Sequence, residues 1–227
     1  MHKRGTHMGM MISFAIFILF VIFFYVAIGD DIKVTEPKGE VLKNLEEEVL
    51  IEIGDVLITL MVFEDSTSKE CIEVNVENLG QADYYTVKDG NGVMIKSEKS
   101  GDLVRMEYDE SETLFKVYLS NHSFDKIEGG PEECEPRTAD FVKFENMVFE
   151  ENFYSFIQEY NTDYVALKTK LGLSSDYDFK VSFELNNGTV IRGERTVTGS
   201  VYVSDVQVEY VNSQADKIGG AVKLTVW

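Results

Sequence analysis

Residues 153–172 read FYSFIQEYNTDYVALKTKLG, and their spacing decides the fold class. Phe153, Phe156, Ile157, Tyr160, Tyr164, Leu167 and Leu171 recur at steps of three and four, which places them on one face of a helix. Gly172 supplies the stop, and Lys168 and Lys170 stand at the negative end of the helix dipole. An aromatic stripe of this kind either lines a ligand cleft or covers a sheet. Covering a sheet is the expected role, because strand patterns lie on both sides of it. One helix packed on a sheet makes the folded part α+β.

Strand patterns follow over residues 177–185, 189–192, 201–210 and 221–227, the first two joined by Asn186-Asn-Gly188. The last ends on Trp227, expected to close the core. Before the helix, 71–76 alternates polar and apolar, and 84–88 runs through Asp89-Gly-Asn-Gly92 into 93–97, a hairpin signal. Strands 103–108 and 113–119 follow, with a hairpin turn in Asp109-Glu-Ser-Glu112, and then 141–149. An antiparallel meander is the economical arrangement. The stretch Glu128 to Pro136 is the least regular. Upstream, Val41, Leu42, Leu45, Val49, Ile53, Leu57 and Leu60 form another stripe, giving a helix from about Glu40 to Ile53 with a switch to strand within 55–63. Too few heptads exist for a coiled coil, so this helix also packs on the sheet.

The N-terminal run Met8–Ile28, MGMMISFAIFILFVIFFYVAI, carries no charged side chain. At 1.5 Å per residue it spans roughly 31 Å, the length of one bilayer crossing. Lys3 and Arg4 precede it and Asp30 and Asp31 follow, which orients the N-terminus to the cytoplasm and the rest outside. The rival readings are a cleaved secretory signal, with Ala27-Ile28-Gly29 as its small-residue site, and a buried core helix. The first is short of the observed length, and the second lacks a polar face. No Gly-x-x-x-Gly pair lies within the run. The expected organisation is a basic leader over 1–7, a transmembrane helix over 8–29, a linker over 30–40 and an extracellular α+β domain over 41–227.

The basic leader ending in Lys3-Arg4-Gly5, followed closely by an apolar helix, resembles the class III signal of archaeal type IV pilins and pilin-like proteins. The resemblance implies leader processing at Lys3, Arg4 and Gly5 by a membrane peptidase, with the apolar helix kept on the mature chain for anchoring and later packing in a filament. Many family members carry Glu at the fifth mature residue. Cleavage after Gly5 puts Met10 there and cleavage after Gly9 puts Phe14, which points to a minor or pilin-like component. The segments from Tyr160 onward, covering roughly the last 75 residues, resemble uncharacterised pilin-like archaeal membrane proteins. That resemblance carries architecture and no catalytic residues.

The chain has 227 residues, 44% apolar and 12% aromatic, enough for one globular core. Its net charge of −19 repels a phosphate backbone, so nucleic acid is not an expected partner. Without Lys3 and Arg4 the remainder carries −21. Cys71 and Cys134 are the two cysteines. Outside the membrane they read as a disulfide, the alternative of metal binding lacking a second thiol or histidine at ligand spacing. His2, His7 and His122 are the three histidines, so a triad or zinc site would have to be built around His122 alone. No nucleophile elbow, His-Glu-x-x-His or phosphate loop occurs. Asn121-His-Ser123 and Asn187-Gly-Thr189 are sequons in expected turns, readable as glycosylation sites or as plain polar turns. The acidic runs Glu46-Glu-Glu48, Asp109 to Glu112 and Glu132 to Glu135 lack calcium-loop spacing and read as solvated surface.

No cofactor and no metal is expected, and the reading is not of an enzyme. The expected function is a single-pass, pilin-like cell-surface protein with an assembly or interaction head, its partners the membrane and other pilin-like subunits through the N-terminal helix. The alternative is a membrane-tethered extracellular binding or sensor domain that does not polymerise. A surface hydrolase using a carboxylate pair is the third reading, lacking the usual nucleophile and base.

Overall fold

The computed structural model describes residues 5–29, 38–63, 71–80, 82–107, 113–130 and 133–227. The chain divides into two compact units, Met1–Glu40 and Val41–Trp227. The first contains helix α1, Gly5–Gly29, whose side chains are described over residues 11–23. All of these are exposed, among them Met11, Phe14, Phe17, Leu19 and Phe23.

The single-pass placement, with a cytoplasmic N-terminus and an extracellular domain, is corrected here. Among the described residues no helix is long and apolar enough to cross a membrane. Lys3 and Arg4 lie outside the described residues, and Gly5 is the first residue of α1.

The second unit contains helix α2 (Lys38–Glu52) from Val41 onward, α3 (Glu150–Thr162) and α4 (Tyr164–Lys170). Its strands are β1 (Gly54–Phe63), β2 (Cys71–Asn75), β3 (Tyr84–Asp89), β4 (Lys96–Ser100), β5 (Leu103–Glu107), β6 (Leu114–Ser120), β7 (Ile127–Glu128), β8 (Glu135–Arg137), β9 (Phe141–Phe149), β10 (Phe179–Glu184), β11 (Val190–Arg192), β12 (Tyr202–Val211) and β13 (Lys217–Val226). An eight-stranded sheet runs β11-β10-β13-β12-β9-β1-β6-β3, and a five-stranded sheet runs β7-β4-β5-β2-β8. The class therefore differs from the expected single meander with one packed helix. There are two sheets, a layer of three helices, and parallel pairings of β12 with β9, β2 with β8 and β4 with β7.

The helix layer and the small sheet cover different halves of the same face. Val41, Leu42, Leu45 and Val49 of α2, with Phe153, Phe156 and Tyr160 of α3, bury against Phe179, Val181 and Phe183 of β10 and Val222, Leu224 and Val226 of β13. Phe153 stacks on Phe183 with ring centroids 4.5 Å apart. In the other half, Ile58, Leu60 and Val62 of β1 and Phe115, Val117 and Leu119 of β6 face Ile72 and Val74 of β2 and Val104 and Met106 of β5. Each buried Leu, Val, Ile or Phe contributes about 1.5–3 kcal/mol.

The predicted helix over 153–171 begins three residues earlier and is interrupted at Asp163, whose carboxylate accepts from the Ala166 amide at 3.2 Å and so starts α4. The hairpin expected between 103–108 and 113–119 is not formed: β5 pairs with β2 and β4, while β6 pairs with β1 and β3. The hairpin at Asp89–Gly92 narrows to the single bridge Lys88–Met94, and β4 joins the other sheet. β13 starts at Lys217, four residues before its expected start, because Gly219 and Gly220 hide the strand pattern. A Cβ on Gly220 would meet the Tyr210 ring at 2.9 Å and the Glu184 carbonyl at 2.8 Å. Val226, fully buried, is the last core residue, and Trp227 is half-buried.

Candidate functional site

His122 is where titratable side chains converge. Asp55 comes from the start of β1, His122 and Ser123 from the turn after β6, and Glu151 and Asn152 from the first turn of α3. The turn is set by Ser120, whose Oγ accepts from the His122 amide at 2.7 Å and donates to its carbonyl at 3.0 Å. The imidazole then lies on the Phe149 ring, centroids 4.4 Å apart. Glu150 and Glu151 are well placed at the positive end of α3.

Both ring nitrogens face carboxylates: Nε2 lies 3.1 Å from Asp55 Oδ2 and Nδ1 3.6 Å from Glu151 Oε2. Ser123 directs its amide and its hydroxyl to Glu151 Oε2 at 3.1 and 3.2 Å, so this hydroxyl is held by a carboxylate. Asn152 donates to the Ile53 carbonyl at 2.9 Å. A cavity of about 250 Å³ beside His122 is lined by Ser123, Phe149, Tyr154, Val211 and Ser213 among others. That is smaller than the roughly 300–1,000 Å³ of ordinary small-molecule sites. The cluster ties β1, the β6 turn and α3 together through a doubly flanked imidazole. Among the described residues, no group of three or more His, Cys, Asp or Glu is arranged to hold a metal ion.

The other sequence-derived positions are dispersed. Cys71, at the start of β2, is bonded to Cys134, just before β8, with Cα atoms 4.9 Å apart. These two strands pair in parallel, so the bridge sits at one end of that pairing. Asn121 and Asn187 are exposed in turns, and Asn187 Oδ1 accepts from the Thr189 amide at 2.9 Å. Glu46 accepts from Ser204 Oγ at 2.8 Å, and Glu135 pairs with Arg137 at 3.4 Å. Residues 109–112 and Glu132 lie outside the described residues.

Sequence reasoning singled out His122 and missed Asp55, Glu151 and Asn152. Their spacing along the chain follows no motif, and only the convergence of β1, β6 and α3 joins them.

A second feature lies between β9 and β12. The two strands pair only at Val148–Phe149 with Tyr210–Val211. Among the described residues, 141–147 of β9 pair with β1 and 203–209 of β12 with β13, with no strand pairing between the two. No family model, curated protein or solved structure matches the chain.

Proposed function

We propose that this chain is a non-catalytic, pilin-like assembly protein, in which the apolar N-terminal helix packs against the same helix of further copies and unit 41–227 serves as an interaction head. The observation that carries this reading is α1 itself. Apart from Ser13, its described side chains, Met11 through Phe23, are apolar, and all are exposed. An amphipathic surface helix has a polar side, whereas a helix apolar all round requires burial on all sides. Several packed helices provide that, at about 1.5–3 kcal/mol for each large side chain covered. The leader resemblance at Lys3-Arg4-Gly5 supports the same reading.

A photoreactive phenylalanine analogue placed at Phe17 of the full chain tests it. Irradiation is expected to give a ladder of covalent multimers of the chain, and a product that stays monomeric at every concentration overturns the reading.

A further inference from the structure

The eight-stranded sheet leaves long unpaired strand edges in its interior, while its outer edges are short or closed. At one outer edge β11 has three residues, and at the other β3 is bridged by Met94 through Lys88. Inside the sheet, by contrast, residues 141–147 of β9 and 203–209 of β12 diverge from their short parallel pairing. Among the described residues neither has a strand partner on the side facing the fork. Two rows of main-chain donors and acceptors there match only another extended main chain.

The two faces of the fork differ in chemistry. On the face covered elsewhere by the helices and the small sheet, Val56, Val142 and Phe144 are 39%, 42% and 57% exposed. They continue the row of Ile58 and Val148, and Val206 and Val208 hold the same side on β12. The helix layer stops on one side of this seam and the small sheet on the other. A cavity of about 360 Å³ lies at the vertex, between Met147 and Val148 on one strand and Val208 on the other, with Leu50 of α2 beside them. The opposite face presents Lys143 and Glu145 on β9 and Asp205, Gln207 and Glu209 on β12.

We propose that the fork receives an extended segment of a partner polypeptide as an added strand, with apolar residues at every second position. Side chains of a strand alternate between faces. The alternate apolar residues lie beside Val142 and Phe144 on β9 and Val206 and Val208 on β12, and the intervening ones are polar or basic, facing Asp205 and Glu209. This surface is separate from the helix packing proposed above, and neither depends on the other.

The probe is a nine-residue synthetic peptide alternating valine with lysine or threonine, added to the full chain and followed by amide hydrogen exchange. Protection of amides within 141–147 and 203–209 is expected to rise about tenfold or more. A peptide of the same composition with its valines contiguous is expected to leave them unchanged. Phe144→Lys, at an exposed position, is expected to abolish the protection while leaving thermal unfolding unaltered. The proposal is overturned by an absence of protection at millimolar peptide, by equal protection from the scrambled peptide, or by Phe144→Lys binding as the parent does. Protection that rises with protein concentration in the absence of peptide also overturns it, since the occupant is then a second copy.

Discussion

Lys88 Nζ lies 2.5 Å from Asp216 Oδ1, joining β3 at the far edge of the large sheet to the turn between β12 and β13. Lys88 is almost fully buried. Its partner is held by Asn212, whose Oδ1 accepts from the Asp216 amide at 2.8 Å. The turn contains Ala215 at φ +58, the sole non-glycine residue with positive φ among those described. Removing the carboxylate strands a buried cation, whereas removing both charges does not. Asp216→Asn is expected to cost about 2–3 kcal/mol in urea unfolding. Adding Lys88→Met to it is expected to recover part of that loss. Additive costs in the double-mutant cycle would show that the contact carries no coupling.

Tyr160 and Tyr164 make stability depend on alkaline pH. Burial raises the Tyr160 hydroxyl well above its ordinary value of 10.0, and burial pushes Tyr164 up to about 12. Tyr160 donates to the Phe179 carbonyl at 2.6 Å and Tyr164 to Asp178 Oδ1 at 3.0 Å, bonds that need the protonated form. Both folded values are raised, so the unfolded chain releases these protons first as pH climbs. The stabilisation is therefore complete below about pH 10 and is lost as pH rises toward 12. Thermal unfolding between pH 9 and 12 is expected to show this fall, and Tyr160→Phe with Tyr164→Phe to flatten it. An unchanged slope in the double variant would refute the assignment.

Gly193 and Gly188 separate two reasons for glycine. A Cβ at Gly193 would stand 2.2 Å from Tyr160 Cε1, a ring that is itself packed against Phe179 and Tyr164. Gly193→Ala is expected to destabilise by about 1–3 kcal/mol through overpacking. Gly188 has φ +80 and open space around its Cβ position. Gly188→Ala is expected to cost about 1–2 kcal/mol from backbone conformation alone. Near-ultraviolet circular dichroism distinguishes them, since only the first variant displaces tyrosine rings.

The Cys71–Cys134 bridge spans 63 positions of sequence. A loop of that length stabilises by about 4 kcal/mol in the chain-entropy model. Replacing both cysteines by serine is expected to lower the unfolding midpoint. Adding a reductant should reproduce the effect in the parent and leave the variant unmoved. Exchange protection should fall in β2 and β8 before β10 and β13, whose core is built from other residues.

The helices α2 and α3 were legible because each hides an apolar stripe against a sheet, and that need writes its period into the sequence. Strand β9 was located over its full length for a similar reason. Sheet membership was not legible. β5 and β6 each alternate as a strand must, and nothing local tells a strand which sheet it enters. The exposed Phe141, Val142 and Phe144 were read as ordinary strand residues, since an unfilled edge and a filled one have the same composition. Around His122, the partners come from residues 55 and 151, a distance over which short motifs carry no information.

The order of strands in the large sheet also bears on synthesis. β1 is made before both of its sheet neighbours and occupies an interior position, where Ile58 pairs with Leu119 on one side and Phe144 on the other. A nascent chain emerging from the ribosome therefore presents Leu57, Ile58, Leu60 and Val62 with neither neighbour yet translated. Distant pairings of this sort slow folding and prolong the interval in which bare strands attract one another. Chaperone engagement is thus expected to concentrate on the nascent chain between the emergence of β1 and the completion of β9.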